Sequence, residues 1–235
     1  MIFNALSLII LQSSSPDKVL KEVADKYKKC QSLQATVQRQ DWPGPFEGSS
    51  IHTLKWAKGR FEMLIKERQP GSQVPSWFCD GRKATALYPD GRRIEEPAKP
   101  KEGFATTFEA VGGSLLSFLQ DTFSAKAMFA PPKSAKVPDK YKSNPNYVNM
   151  DSGTISFAFG ERSEFDGEPA QEVVLSRESE GKKTVFMSFF ISSEKKVLLG
   201  CSAPRQGGEG FLYYRSQIFD APLPGTLGNL PGRDR

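Results

Sequence analysis

Short runs of alternating apolar and polar residues, separated by tight-turn pairs, dominate this sequence. Turn pairs such as Lys58-Gly59, Asp80-Gly81 and Asp166-Gly167 stand between runs of strand length. Alternation with a period of two places apolar side chains on one face of a strand, and Asp-Gly favours a hairpin turn. The pattern therefore predicts antiparallel strands in an α+β chain, and not alternating βαβ units.

One amphipathic helix is predicted ahead of the strands. Val19, Val23 and Tyr27 recur at helical spacing after Ser15-Pro16, which favours a helix start. After Cys30 the period changes to two, so the first strand is expected directly behind this helix.

The middle of the chain changes character before the strands return. Apolar residues at helical spacing over residues 104–130 predict one or two short helices, and residues 131–149 contain four prolines that favour a loop. No interior linker is visible, so we expect a single domain over residues 16–224 whose two strand runs form one sheet. The Pro-, Gly- and polar-rich residues 225–235 are predicted to fray.

The N-terminal residues 2–11 are almost wholly apolar and are followed by polar residues and Pro16. This run is too short for a membrane span and has the form of a signal peptide over residues 1–15. It predicts an exported protein, periplasmic or extracytoplasmic; the alternative is a buried N-terminal strand or helix. An exported chain with three cysteines allows one disulfide and an odd thiol, or no disulfide.

Charge and chemistry narrow the function classes. The net charge is +5, but 32 basic residues are interleaved with 27 acidic ones, which indicates a solvated surface with no nucleic-acid partner and at most transient membrane contact. A single histidine, His52, and three cysteines predict no metal site and no cofactor. His52 and Cys79 are interpreted as structural residues, so no enzyme activity is expected.

Several local strings occur in an informative order behind the first helix. They are Ser32–Val37, Lys58–Phe61, Cys79–Lys83, Leu87–Asp90, Phe165–Ala170, Ile191–Lys196 and Phe219–Pro224. Their order resembles the LolA-like family of periplasmic lipoprotein carriers and outer-membrane lipoprotein-sorting proteins, over roughly Asp17 to Leu223. Ala84-Thr85-Ala86 stand where the family has an aromatic before its hairpin turn, so the resemblance is that of a divergent member.

The resemblance implies a large, curved antiparallel sheet, an open half-barrel closed by a few helices, with an apolar cavity that accepts acyl chains. The residues predicted to line this cavity are apolar and lie on the strands or the helix that the family turns inward; for each, plain core packing is the alternative. They are Leu54, Trp56, Phe61, Met63, Ile65, Trp77 and Leu116.

Two functions remain open at this point. The first is an exported, non-catalytic binding protein that holds a lipid or a lipoprotein acyl chain, with a lipid or an acylated protein as partner. The second is an envelope sensor or protein-interaction module on the same fold, whose cavity is filled by its own side chains and whose partner is an envelope protein.

Overall fold

The computed structural model of this chain describes residues 15–41, 49–97, 154–179 and 181–230. These residues form helix α1 (Pro16–Lys29) and twelve strands. The strands are β1 (Ser32–Gln40), β2 (Ser50–Ala57), β3 (Arg60–Arg68), β4 (Ser76–Cys79), β5 (Lys83–Leu87), β6 (Arg93–Pro97), β7 (Thr154–Phe159), β8 (Glu164–Phe165), β9 (Glu168–Ser179), β10 (Lys182–Ser192), β11 (Leu198–Arg205) and β12 (Gly208–Phe219). The predicted signal peptide, the predicted helices of residues 104–130 and the predicted loop of residues 131–149 lie outside the described residues.

Helix α1 begins and ends as its sequence predicts. The side chain of Ser15 accepts a hydrogen bond from the Lys18 N–H at 3.3 Å, and Pro16 follows in the first turn, where a missing N–H costs nothing. Asp17 in the first turn and the lysines of the last turn complement the helix dipole. The apolar stripe, which includes Val23 and Tyr27, is buried.

The strands form one antiparallel sheet that does not close on itself. Their order is β6-β5-β4-β3-β2-β1-β12-β11-β10-β9-β7, and β8 pairs with β9. Strands β6 and β7 stand at the two ends of this order, whereas β1 and β12 are neighbours in its middle. The predicted fold class, a large open antiparallel sheet in an α+β chain, is confirmed.

Helix α1 packs on one face of the sheet, which we call the inner face. The Tyr27 ring lies 5.4 Å from the Phe219 ring, and Phe219 is paired with Leu33 across β12 and β1. The Tyr27 hydroxyl donates to Gln217 Oε1 at 2.5 Å and accepts from the Leu198 N–H at 3.2 Å. These contacts fix the helix against β11 and β12.

The opposite, outer face carries the β8–β9 hairpin. Phe165 stacks on Phe190 at 4.1 Å and on Tyr213 at 5.1 Å. A Cβ atom at Gly200 would collide with the Phe165 ring, so this glycine admits the aromatic side chain. Arg162 holds the same region together through a 2.6 Å ion pair with Glu172.

The C-terminal residues also pack on the sheet. Leu227 is fully buried and Leu230 nearly so. The Gly228 N–H donates to Glu62 Oε1 at 3.1 Å, and Arg60 donates to the Gly225 carbonyl at 2.8 Å. The sequence predicts fraying from residue 225, whereas residues 225–230 are held because two leucines among polar residues find apolar surface to bury. Residues 231–235 lie outside the described residues.

Candidate functional site

Six of the seven predicted lining residues lie on the inner face of three neighbouring strands. They are Leu54 and Trp56 on β2, Phe61, Met63 and Ile65 on β3, and Trp77 on β4. Ile65 is half-buried and the other five are buried. The seventh, Leu116, lies outside the described residues. The structure thus brings six side chains together on one surface, while their contact with a ligand remains a prediction.

Strand register extends this surface into two apolar rows across β1 to β5. The first row is Leu33, Trp56, Phe61, Cys79 and Ala84, and the second is Ala35, Leu54, Met63, Trp77 and Ala86. Neighbouring strands lie about 4.8 Å apart, so each row spans roughly 19 Å. Both rows carry buried apolar side chains throughout.

Helix α1 is too small to cover this face by itself. Its 14 residues make a cylinder roughly 21 Å long and 10 Å wide, whereas eleven strands side by side span roughly 48 Å. The described contacts of α1 reach β11, β12 and β7, on the far side of β1 from the rows. The described contacts of α1 thus lie away from the rows of β2 to β5, whose side chains are nevertheless buried.

The inner face becomes polar toward the end of β1. The next row holds Val37, His52 and Ile65, and the row after it pairs Arg39 with Ser50. We call Arg39, Ser50 and His52 the polar end of the inner face. Arg39 and His52 have no exposed surface.

The polar end contains a close serine–histidine contact. Ser50 Oγ lies 2.8 Å from His52 Nε2, and within the described part of the chain His52 Nδ1 has no hydrogen-bond partner. Burial, and then the nearby Arg39 charge, lower the pKa of His52 to about 4. Burial also lowers the pKa of Arg39, to about 10. At neutral pH the imidazole is therefore neutral and the guanidinium is charged.

A serine bonded to a histidine is also the beginning of a nucleophile–base pair, but this pair is poorly built for that role. Such a base needs a third group to orient its ring, and among the described residues none bonds to Nδ1 of His52. A histidine with a pKa of about 4 is also a weak base at neutral pH. The pair therefore has the serine–histidine contact of such a site without a third group among the described residues.

Thiol and metal chemistry find little support in the described residues. Cys30, Cys79 and Cys201 form no disulfide and are buried. Burial raises the pKa of Cys79 to about 11 and also raises the pKa of Cys30, so both thiols stay protonated. No group of three or more potential metal ligands occurs within the described ranges.

Sequence reasoning missed Arg39 and Ser50 as members of this surface. The available signal was parity, because Arg39 continues the alternation of Leu33, Ala35 and Val37. An arginine between two glutamines ordinarily marks an exposed strand end, and only the pairing with Ser50 places it on the inner face.

Cavities lined by described residues open beside the sheet, and one of them, of about 340 Å³, is lined by Ile65 together with Ser76, Leu87 and Tyr88. Two others lie at the polar end and beside α1. One, of about 500 Å³, opens at the strand ends and is lined by Arg39 and Ser50 together with exposed residues such as Arg68. The other, of about 580 Å³, lies beside the last turn of α1, and its acidic residues Asp166 and Glu168 are paired with Arg215 and Lys195. The second cavity is remote from the apolar rows, and the first is the one that contains residues of the polar end.

Comparison with known proteins adds structural neighbours only. No family model matches the chain, and no curated protein matches it. Among solved structures, MucB is 12% identical with a TM-score of 0.43, and the match covers 92% of this chain and 63% of MucB. LprF from Mycobacterium bovis is 11% identical with a TM-score of 0.42, covering 92% of this chain and 100% of LprF.

A LolA superfamily protein, NE2245 from Nitrosomonas europaea, is 12% identical with a TM-score of 0.37, covering 93% of this chain and 99% of that protein. The chain spans less than two thirds of the length of MucB. None of the described helical residues forms a segment long and apolar enough to cross a membrane. The open antiparallel sheet of the described residues has the architecture that the sequence resemblance implies.

Proposed function

We propose that this chain is a non-catalytic binding protein that holds a lipid, or the acyl chain of an acylated protein, against the inner face of its sheet. The observation that carries the proposal is the pair of buried apolar rows over β2 to β5, which lies away from the described contacts of α1. In this proposal the six residues of that surface and Leu116 contact the ligand.

Burial of the acyl chain supplies the binding energy. Each buried CH₂ group contributes about 0.8 kcal/mol, so a long acyl chain gains on the order of 10 kcal/mol before the costs of association. An apolar surface built from Leu54, Met63 and Trp77 suits such a ligand, because it needs no directional partner.

The decisive experiment is native mass spectrometry of the purified protein before and after solvent extraction. We expect masses of lipid size that disappear on extraction and return when lipid is added. A protein that purifies bare and ignores added lipid would overturn the proposal. That outcome would favour the alternative, an envelope sensor or protein-interaction module whose partner is recovered by crosslinking.

A matched pair of substitutions on β3 tests the surface itself. Met63 is fully buried on the inner face, whereas its neighbour Leu64 is half-buried on the other face. We expect Met63→Gln to weaken binding of an uncharged lipid probe about tenfold, because a buried amide replaces an apolar contact, and Leu64→Gln to leave binding within about twofold. Equal effects of the two variants would mean that the probe does not bind at the inner face. Thermal melts of both variants confirm that they fold.

Export is a further part of the proposal, supported by the apolar run of residues 2–11. Mass spectrometry of the N-terminus of protein made by its own host tests it. A start near residue 16 is expected, and an intact Met1 would reject processing.

A further inference from the structure

The polar end of the inner face makes the ligand surface amphiphilic. Along β1 the inner side chains change from Leu33 and Ala35 to Val37 and then to Arg39. Six residues of extended strand separate Leu33 from Arg39, which is roughly 20 Å. One leaflet of a bilayer core, the space of a single acyl chain, is about 15 Å deep. The surface thus offers an apolar length for a chain and a polar patch at one end of it.

Arg39 is embedded in this surface and does not sit at its rim. It lies between Ser50 on β2 and Leu212 on β12, and it has no exposed surface. The guanidinium places a fixed positive charge at this end of the surface, and opposite charges attract more strongly in a buried environment than in water. Its pKa of about 10 keeps it charged at neutral pH.

His52 supplies a second, independent sign of a polar ligand group. Its ring is fully buried, Nε2 is engaged by Ser50, and Nδ1 has no partner among the described residues. Buried polar atoms are nearly always hydrogen-bonded, so an atom of this kind indicates a partner that binds there. When the Ser50 hydroxyl donates to Nε2, the Nδ1–H is a donor that fits an anionic oxygen.

The cavity at the strand ends is lined by Arg39 and Ser50 of this patch. Its charged lining residues are Arg39, Asp41, Glu67 and Arg68, of which all but Arg39 are exposed. The Asp41 carboxylate lies 3.6 Å from the Arg205 guanidinium, so it is already neutralised. A ligand entering here meets a rim of mixed charge and then a buried cation.

We propose that the ligand is an amphiphile with an anionic head, a carboxylate or a phosphate, which binds Arg39, Ser50 and His52 while its acyl chain lies along the apolar rows. This inference rests on the proposed lipid binding and adds its head-group chemistry. The guanidinium and the Nδ1–H donate to the head, and the inner face of β2 and β3 takes the chain.

The test compares three probes that share one oleoyl chain: oleate, oleoyl lysophosphatidic acid and uncharged monoolein. Each displaces the uncharged dye Nile red from the full-length protein, at about pH 8 so that both acids are ionised. We expect at least one acid to bind ten or more times as tightly as monoolein, corresponding to about 1.4 kcal/mol or more. The acid preferred identifies the head as carboxylate or phosphate.

Substitutions then assign the preference to the polar end. Arg39→Met retains the length of the side chain without its charge, and we expect it to bring acid and monoolein within about threefold of each other. Arg39→Lys should keep part of the preference, and His52→Phe should lower it. Arg68→Met, which removes an exposed arginine from the same cavity, is the matched control and should leave the preference intact.

The outcomes separate the two proposals. If the native protein binds all three probes equally, the head-group site is wrong while lipid binding stands. If Nile red and all three probes fail to bind, the proposed function itself is wrong. A preference lost in Arg68→Met as fully as in Arg39→Met, or abolished by high salt, would place the charge effect at the exposed rim and overturn the site.

Discussion

At the scale of single residues, Tyr27 joins the helix to the sheet. Its hydroxyl bonds both Gln217 and the backbone of Leu198, and Gln217 Nε2 donates in turn to the Leu198 carbonyl at 2.7 Å. Burial raises the pKa of this phenol, so it stays protonated and keeps both roles.

Removing that hydroxyl leaves the buried Leu198 N–H and the half-buried Gln217 side chain without this partner. We expect Tyr27→Phe to lower the free energy of unfolding by about 1–3 kcal/mol, measured by urea denaturation. Tyr213→Phe is the control, because its hydroxyl makes one exposed, 3.4 Å contact with Gln40 Oε1. A loss of similar size in both variants would mean that the hydrogen bonds of Tyr27 contribute no more to stability than the exposed contact of Tyr213.

His52 makes the free energy of unfolding depend on pH between about pH 6.5 and pH 4. It is the only histidine in the chain, its unfolded pKa is about 6.5, and burial with Arg39 lowers the folded pKa to about 4. Between these two pKa values the unfolded chain therefore binds a proton that the folded chain does not bind. Stability is fully present above about pH 6.5 and falls as the pH drops toward 4.

We expect acidification from about pH 7 to pH 5 to cost the native protein on the order of 2 kcal/mol through this residue. The free energy of unfolding of His52→Gln should fall less on acidification, because only carboxylates then contribute to the pH dependence. One of them is Glu172: burial raises its pKa, but its bonds to Arg162 outweigh this effect and the net pKa is lowered. Urea midpoints at the two pH values measure both. Equal slopes for the two proteins would show that His52 is not buried as described.

At the scale of elements, the C-terminal residues 221–230 act as a strap over the outer face of β3 and β4. Gly228 is its closest point of approach, with a φ of 85° and with the Cys79 carbonyl in the place that a Cβ atom would occupy. Only glycine meets both conditions without strain.

Gly228→Ala should therefore lower the free energy of unfolding by at least about 1 kcal/mol, from the left-handed backbone alone. Gly225→Ala is the matched control, since a Cβ atom there meets nothing within 4 Å. Thermal melts of the two variants give the comparison. An unchanged melt for Gly228→Ala would mean that the strap is detached in solution.

At the scale of the whole molecule, local rules predict most of the described architecture. The period of α1, the alternation of β2 and β3, and the turn at Asp166-Gly167 follow from contacts between near neighbours in sequence. Six of the residues predicted to line a cavity could be placed on one face for the same reason. Arg39 and the strap could not, because their burial depends on pairing between distant segments.

The junction of β1 with β12 has a consequence for folding. On either side of it, strands from β1 to β6 and from β9 to β12 pair with their chain neighbours, whereas this one junction joins strands about 180 residues apart. Distant pairing slows folding, so this junction should form last and set the folding rate.

The same junction divides the protein into two complementary fragments. Co-expressed residues 1–97 and 98–235 should associate, because β1 offers an edge to β12 and α1 of the first fragment packs on β11 and β12 of the second. Co-purification of the two pieces measures this, with Tyr27→Phe expected to weaken the complex. Helix α1 would then hold the two fragments together as much as the sheet does. Any change that loosens the helix would also separate the two sides of the proposed ligand surface.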